Sequence, residues 1–434
     1  MQPSPDVLWG VPFAGMLLSI ALFPAVAPRF WHRRMGAVAL GWVLVLLVQE
    51  AVVIGPRVAA TAAWQAVLDE YLPFVTLLLA LFTAGGGILV RGGLRGTPVG
   101  NTTMLAVATL LGGVMGTIGA SMVLIHPLLH ANAHRRRKVH LVVFFIVLAG
   151  NAGGALSPLG PPLYIGFLEG VPFFWPLLHL GLPCLLLAAF ELAGFYALDR
   201  WLARGDGPAA AAGPPRLRGW VNVALVLLVA GSVVAQGLLD LGEVRMLGQP
   251  IDLARLAGIG LCLGVTGLSL ALTPPAVRQA NDFAWHPMQE VAVLFAAIFI
   301  TIQPVIDMLH AGLDGPLAPL LRLATDHAGQ PSPPAFFWLA GILSGFLDNA
   351  PTYLVFFQLA GEHPAAHQPV ALQALSAGAV FFGGLTYIGN APNLMLRAIA
   401  AHRGVPMPGF FVFTGYAALA LLPVFALMTL LFFI

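Results

Sequence analysis

The sequence predicts an all-α polytopic membrane protein, and three observations predict it. Of the 434 residues, 59% are hydrophobic and only 9% charged, against about 25% charged in soluble domains. Apolar runs of the ~20 residues needed to cross ~30 Å of hydrocarbon recur along the chain, and mean hydropathy is +0.89. The 49 glycines and 35 prolines are largely set among these runs, as in membrane helices that are broken or closely packed. Together these exclude a soluble enzyme, a nucleic-acid-binding protein and a secreted disulfide scaffold. The net charge of +2 says nothing about partners. Cys184 and Cys262 each lie in an apolar run and read as small core residues. No Walker motif, nucleophile elbow or zinc-protease pattern occurs, so nothing points to an ATP-driven pump, a membrane protease or a cofactor.

Taken in order, uninterrupted spans are expected at 7–27, 37–56, 73–92, 174–199, 219–239, 253–273, 288–309 and 409–433. The first has no basic leader and no small-residue cleavage site, and is expected to be a true span. Four further stretches, 101–132, 139–168, 334–360 and 371–398, are apolar but interrupted by Gly, Pro and polar residues. If 101–132 and 334–360 are hairpins that enter and leave on one side, sixteen of the 20 basic residues face one compartment. The remaining four, Arg57, Arg245, Arg255 and Arg322, face the other. The positive-inside rule makes the first side cytoplasmic. Both termini are then outside, and the expected location is the bacterial inner membrane.

The two halves resemble each other. Gly116-Thr-Ile-Gly-Ala-Ser121, Val143–Asn151, Ser157-Pro-Leu-Gly-Pro-Pro162 and Gly170-Val-Pro are followed in the second half by Gly345–Thr352, Val380–Asn390, Ala391-Pro-Asn393 and Gly404-Val-Pro. Twelve residues separate Pro158 from Gly170, and twelve separate Pro392 from Gly404. By the orientation above, one hairpin opens to the cytoplasm and the other to the outside. Repeats so related are the signature of secondary transporters, whose site lies at the midplane where broken helices meet. The expected architecture is therefore an inverted-repeat secondary transporter with two re-entrant hairpins and two broken transmembrane helices. Residues 1–203 form the first repeat (hairpin 101–132, broken helix 139–168), 204–218 a flexible cytoplasmic linker, and 219–434 the second, inverted repeat (hairpin 334–360, broken helix 371–398).

Eight polar residues sit at these breaks: Asn151, Ser157, Asp348, Asn349, Thr352, Thr386, Asn390 and Asn393. Breaking a helix frees carbonyls and amides where no water can satisfy them. Carbonyls with Asn, Ser and Thr oxygens make a hard-oxygen cage for a small cation, and half-helix N-termini suit an anion. A Na⁺ site is expected at Asp348, Asn349, Asn390, Asn151 and Ser157; the alternative is that such residues bond between helices. Asp348 has no basic residue within twenty positions, and an intramembrane carboxylate is functional by default. Glu50, Glu191, Glu290 and Asp307 form a second tier. His126, His130 and His134 run at i, i+4 and i+8 but lack an acidic or thiol partner nearby, and read as a membrane-surface edge rather than a metal stripe. Arg397 follows the second break, as an interfacial anchor or facing an anionic substrate.

At these residues the chain resembles NhaD-type sodium/proton antiporters, within the ion transporter superfamily that includes citrate, dicarboxylate and arsenite carriers. Asp348-Asn-Ala-Pro-Thr-Tyr353 and Thr386-Tyr-Ile-Gly-Asn-Ala-Pro-Asn393 carry the resemblance, which covers most of the chain from about residue 80. It implies a dimeric carrier with a scaffold part and a moving transport part, in which hairpins and unwound helices hold the ions. Sodium/proton antiport by alternating access is the expected function, with Na⁺ and H⁺ as the transported or coupling ions. A cation-coupled carrier of citrate or another carboxylate is the alternative, with Arg397 as the only basic residue near a break. The chain departs from the family pattern at its first break: Ser157-Pro-Leu-Gly160-Pro161-Pro162 has a proline where the family has an aspartate. One coupling carboxylate is thereby absent.

Overall fold

Apolar stretches free of interior breaks become long helices, and each Gly-Pro cluster ends or bends one. The computed structural model describes residues 7–434 apart from 93–94, 207–212, 215, 240, 247–248, 312–314, 327–328 and 362. Parts of the basic stretch 91–95, of the linker and of the loop at 361–363 thus lie outside the described residues. In chain order the elements are α1 (Val11–Val26), α2 (Pro28–Val53), α3 (Pro56–Gln65), α4 (Leu72–Gly85), β1 (Leu89–Arg91), α5 (Pro98–Ala131), α6 (Val139–Leu148), α7 (Pro161–Leu168), α8 (Trp175–Leu202), β2 (Arg216–Arg218) and α9 (Val221–Leu238). There follow β3 (Glu243–Met246), β4 (Gln249–Asp252), α10 (Leu253–Leu272), α11 (Pro275–Ala280), α12 (His286–Thr301), α13 (Gln303–His310), α14 (Ala318–Ala324), α15 (Pro333–Leu347), α16 (Asn349–Leu359), α17 (Pro364–His367), α18 (Pro369–Phe381), α19 (Ala391–His402) and α20 (Phe410–Phe432). Among the described residues nine helices are long and apolar enough to cross a membrane, or ten if α12 and α13, bent by 43°, form one span. The protein is a polytopic, mostly helical membrane protein. Two short antiparallel ribbons, β1–β2 and β3–β4, are additions to the all-α expectation, and the first draws linker residues 216–218 into regular structure.

The run expected at 73–92 is one end of a longer span, Pro56–Gly85. Polar Asp69 and Glu70 interrupt its apolar pattern, yet the chain continues through them as a π-turn, Ala66–Tyr71. Gln303 donates to Glu70 Oε1 at 3.0 Å, the other carboxylate oxygen having no partner among the described residues, and Arg255 donates to the Asp69 carbonyl at 2.9 Å and lies 3.7 Å from its carboxylate. The span ends at 85 because Gly85-Gly86-Gly87 releases the chain into β1.

Both interrupted stretches at 101–132 and 334–360 fold back on themselves. Asn101 and Asn132, at the two ends of α5, exchange hydrogen bonds of 3.0 and 2.7 Å; a straight helix would hold them roughly 45 Å apart. The bend lies at Met115 and Gly116, the latter at φ +70°, ψ 161°. In the second half, Phe336 of α15 and Phe356 of α16 meet edge to face at 5.7 Å, where a straight helix would separate them by roughly 30 Å. That bend lies at Asp348, φ +77°, ψ 150°. Two hairpins thus turn through nearly the same backbone conformation, with glycine at one tip and aspartate at the other.

The stretches 139–168 and 371–398 are both unwound at their centres. A 3-10 turn, Ala152–Leu156 or Phe382–Leu385, leads to an extended residue, Ser157 or Thr386, before α7 or α19 begins. The hydroxyl of each extended residue accepts the N–H two positions on: Leu159 to Ser157 at 3.3 Å and Ile388 to Thr386 at 3.1 Å. This shared turn aligns the two breaks differently from the twelve-residue spacings. Ser157-Pro-Leu-Gly160-Pro161 corresponds to Thr386-Tyr-Ile-Gly389-Asn390, so the equal twelve-residue spacings from Pro158 and Pro392 do not mark equivalent prolines. The helix after the second break has 12 residues against eight after the first.

Candidate functional site

The second break is built from short-range bonds that leave particular atoms unused. The Thr386 hydroxyl donates to the Gly345 carbonyl, tying the break to α15, and accepts N–H groups from Ile388 and Gly389 at 3.1 Å each. Gly389 has to be glycine, because a Cβ there would lie 2.7 Å from the Gly383 carbonyl and 3.0 Å from that of Gly345. The Asn393 amide donates to the carbonyls of Gly383 and Thr386 at 2.7 and 2.8 Å. These bonds satisfy the carbonyls that unwinding exposes.

The first break joins the second through its asparagine. Asn151 donates to the Ile146 carbonyl at 2.8 Å and to Asn393 Oδ1 at 2.9 Å. Asn390 in turn donates to the Gly150 carbonyl at 2.9 Å and to Asn151 Oδ1 at 3.1 Å. Asn151, Asn390 and Asn393, all buried, therefore lock the two unwound segments together. Both bonds of Asn390 use its NH₂, which fixes its Oδ1 as the free atom. That oxygen, the Asn349 Oδ1 and the Thr117 Oγ1 are buried without a hydrogen-bond partner among the described residues. Thr117 and Asn349 each directly follow the positive-φ residue of their hairpin, so the two tips carry equivalent orphan oxygens.

Asp348 and Asn390 line one cavity of about 440 Å³, together with Glu290, His286 and Arg397 and an apolar wall that includes Trp31, Val291 and Phe295. Asp348 is the N-terminal flank of α16. The amides of Asn349 and Ala350 face its carboxylate, although no bond has capping geometry. Thr352 donates back to the Asp348 carbonyl at 2.9 Å. The Arg397 guanidinium lies over the Tyr387 ring, 4.6 Å from its centroid, and among the described residues has no carboxylate within ion-pair distance. The cavity so formed offers two carboxylates, Asp348 and Glu290, the amide oxygen of Asn390 and, in Arg397, a cation with no ion pair among the described residues.

Of the eight sequence-derived residues, Asp348 and Asn390 share the cavity, with Asn349 adjacent to the first. Asn151, Asn393 and Thr386 are engaged in holding the breaks, Thr352 in holding the tip, and Ser157 in its own turn. Of the second tier, Glu290 lines the cavity. Glu50 and Glu191 are buried elsewhere, Glu191 with one oxygen unpartnered, and Asp307 lies on α13.

One expectation is corrected. The histidine edge is not all surface: His126 is buried, with Nδ1 3.7 Å from Asp282, because the returning arm of α5 lies inside the molecule. His130 is exposed, and no group of three metal-ligating side chains occurs among the described residues. The basic stretch Arg135–Lys138 that follows is exposed at Arg136 and Arg137 but buried at Arg135. Arg135 and Asp199 are buried as an ion pair, and Asp199 also takes bonds from His140 at 2.8 Å and Asn101 at 2.9 Å. Arg135 further donates to the Gly96 carbonyl at 3.2 and 3.3 Å. This cluster fastens the base of the first hairpin to α8. Its only sequence signal is Asp199, a carboxylate near the end of an apolar run.

A family model described as "Putative citrate transport" matches residues 3–433. Two relatives, uncharacterized transporters of Mycobacterium bovis and Mycobacterium tuberculosis, are each 26% identical over 352 residues, covering 74% of this chain and 73% of theirs.

Proposed function

The chain belongs to this citrate-transport family and is a membrane transporter; on that premise we propose that it is a secondary carrier working by alternating access, exchanging a small cation such as Na⁺ for H⁺ at Asp348. The observation that carries this reading is Asp348 itself, a carboxylate at a helix break, facing a cavity it shares with the unpartnered oxygen of Asn390. An intramembrane carboxylate is not left charged and unpaired. A proton neutralises it in one state and a cation in the other, so the two compete for one site. Asp348, Asn349 and Asn390 supply the side-chain oxygens of the cage, and Asn151, Asn393, Thr386, Ser157 and Thr352 hold the backbone that completes it.

Alternating access in this reading rests on two inverted halves with re-entrant hairpins in the bacterial inner membrane, assembled as a homodimer. The matched hairpin tips and matched turns at Ser157 and Thr386 support the repeat. A second reading, cation-coupled uptake of citrate or another carboxylate, is favoured by Arg397, a cation on the cavity wall without an acidic partner, and by the family's description.

Purified protein in liposomes with a pH-sensitive dye, offered Na⁺, Li⁺, K⁺ and citrate in turn, tests both. Cation-driven proton flux that disappears in Asp348→Asn is expected. Citrate uptake with no response to cation gradients would remove the antiport reading, and uptake lost in Arg397→Gln would establish the second.

A further inference from the structure

A second cavity, of about 410 Å³, lies away from the candidate site between the two arms of α5 and α9, roofed by the β1–β2 ribbon. Val107 and Val114 of the outer arm, Leu124 of the returning arm and Leu227 of α9 line it, with Val90 and Leu217 of the ribbon above them. Among the described residues its lining contains no charged side chain and, apart from Thr103, no polar one. Val107, Val114 and Leu227 are exposed, so the groove opens on the outer surface of the molecule.

The ribbon carries Val90 and Leu217 on its groove side, and its three arginines with the buried Leu89 on the other. Val90 pairs with Leu217, Arg91 with Arg216 and Leu89 with Arg218, and the two-residue period of a strand places the three arginines on the face turned from Val90 and Leu217. All three are exposed, and among the described residues none is in an ion pair. Arg91 and Arg216 stand directly opposite each other. Like charges so paired repel, and an anion between them relieves the repulsion through charge-assisted hydrogen bonds.

We propose that groove and ribbon form a binding site for an anionic phospholipid, with an acyl chain between α5 and α9 and the headgroup phosphate on Arg91, Arg216 and Arg218. The ribbon joins the end of the span Pro56–Gly85 to the starts of α5 and α9, which sets it at headgroup level. Trp220, beside Arg218 in sequence, is 71% exposed, as suits an interfacial anchor. Met115, at the bend of the first hairpin, lines the same groove, so a bound chain bears on that bend.

The test is native mass spectrometry of the full chain, delipidated in detergent and given phosphatidylglycerol or phosphatidylcholine with identical acyl chains. Phosphatidylglycerol is expected to be retained at least tenfold better, and Arg218→Gln to weaken it about fivefold, the equivalent of ~1 kcal/mol per arginine at a membrane surface. R91Q/R216Q/R218Q should bring it to the phosphatidylcholine level. Val107→Trp, which fills the groove without altering charge, should also release the lipid. Equal retention of both lipids, unchanged retention in the triple variant, or competition by free glycerol phosphate as strong as by the lipid would overturn the proposal. So would a change of oligomeric state in Val107→Trp with lipid retention intact, since the groove would then seat a second copy. A photoactivatable phosphatidylglycerol on the wild-type chain decides the matter should the variants fail to fold. Its label belongs on α5 and α9, and labelling confined to other helices rejects the site.

Discussion

Asparagines at the two breaks do different work although they look alike in sequence. Asn151 and Asn393 have both ends of their amides bonded, whereas Asn390 spends its NH₂ on the first break and keeps its oxygen free. Asn390→Ala, which removes that oxygen together with the two bonds that lock the breaks, is therefore expected to weaken the apparent cation affinity of exchange at least tenfold and to lower stability. In the proposed exchange a proton on Asp348 excludes the cation, so the wild-type apparent affinity is expected to fall as pH falls. In Asp348→Asn, which has no group to titrate there, that pH dependence disappears with the coupling. Cation flux by liposome assay across pH measures both effects. An Asp348→Asn protein with an unchanged pH profile would move the coupling group to another carboxylate, with Glu290 next by its place in the cavity.

At the scale of elements, the first hairpin depends on one backbone conformation and one buried clamp. Gly116 sits at φ +70°, and a Cβ there would lie 2.9 Å from the Leu159 carbonyl. Gly116→Ala should lower stability by about 1–3 kcal/mol, the range for such strain. Gly181→Ala, in α8 with nothing within 4 Å of its Cβ position, is the control that adds a Cβ without strain and should not lower stability. Asp348 tolerates the equivalent conformation at the other tip, which marks a position where strain is retained beside the proposed site. The clamp is Arg135 with Asp199. Removing one partner of a buried ion pair leaves the other charge uncompensated, so Asp199→Asn should lose about 3–5 kcal/mol, read as an earlier unfolding midpoint in detergent. Wild-type stability in that variant would show that the arginine had found another counter-ion.

For the whole molecule, the matched hairpins and breaks predict an inverted arrangement that chemistry can test. Arg137, unlike Arg135, is exposed, and Gly361 is exposed at the far end of α16. Single cysteines at Arg137 and at Gly361 should react from opposite compartments. In intact cells a membrane-impermeant thiol reagent is expected to label position 361 and to reach position 137 only after lysis. Labelling of both from one side would mean that one hairpin crosses completely and that the halves are not inverted.

Hydropathy alone determined where the chain is apolar, and the Gly-Pro clusters determined where its helices break, because span length and freed backbone groups are local properties. Asp348 was legible for the same reason: a lone carboxylate in an apolar stretch needs no partner to be conspicuous. Partnerships decided the rest. Which asparagine oxygen stays free depends on bonds between residues some 240 positions apart. The continuation of the span 56–85 through Asp69 and Glu70 depends on Gln303 and Arg255. The burial of Arg135 follows from Asp199, which no pattern near Arg135 announces. The likeness of the two breaks, too, is one of conformation rather than residue identity, since Ser157 and Thr386 share a turn while the prolines around them do not match. Local chemistry fixes breaks and lone charges, but only the tertiary structure assigns each polar atom its partner and so reveals which atoms have none.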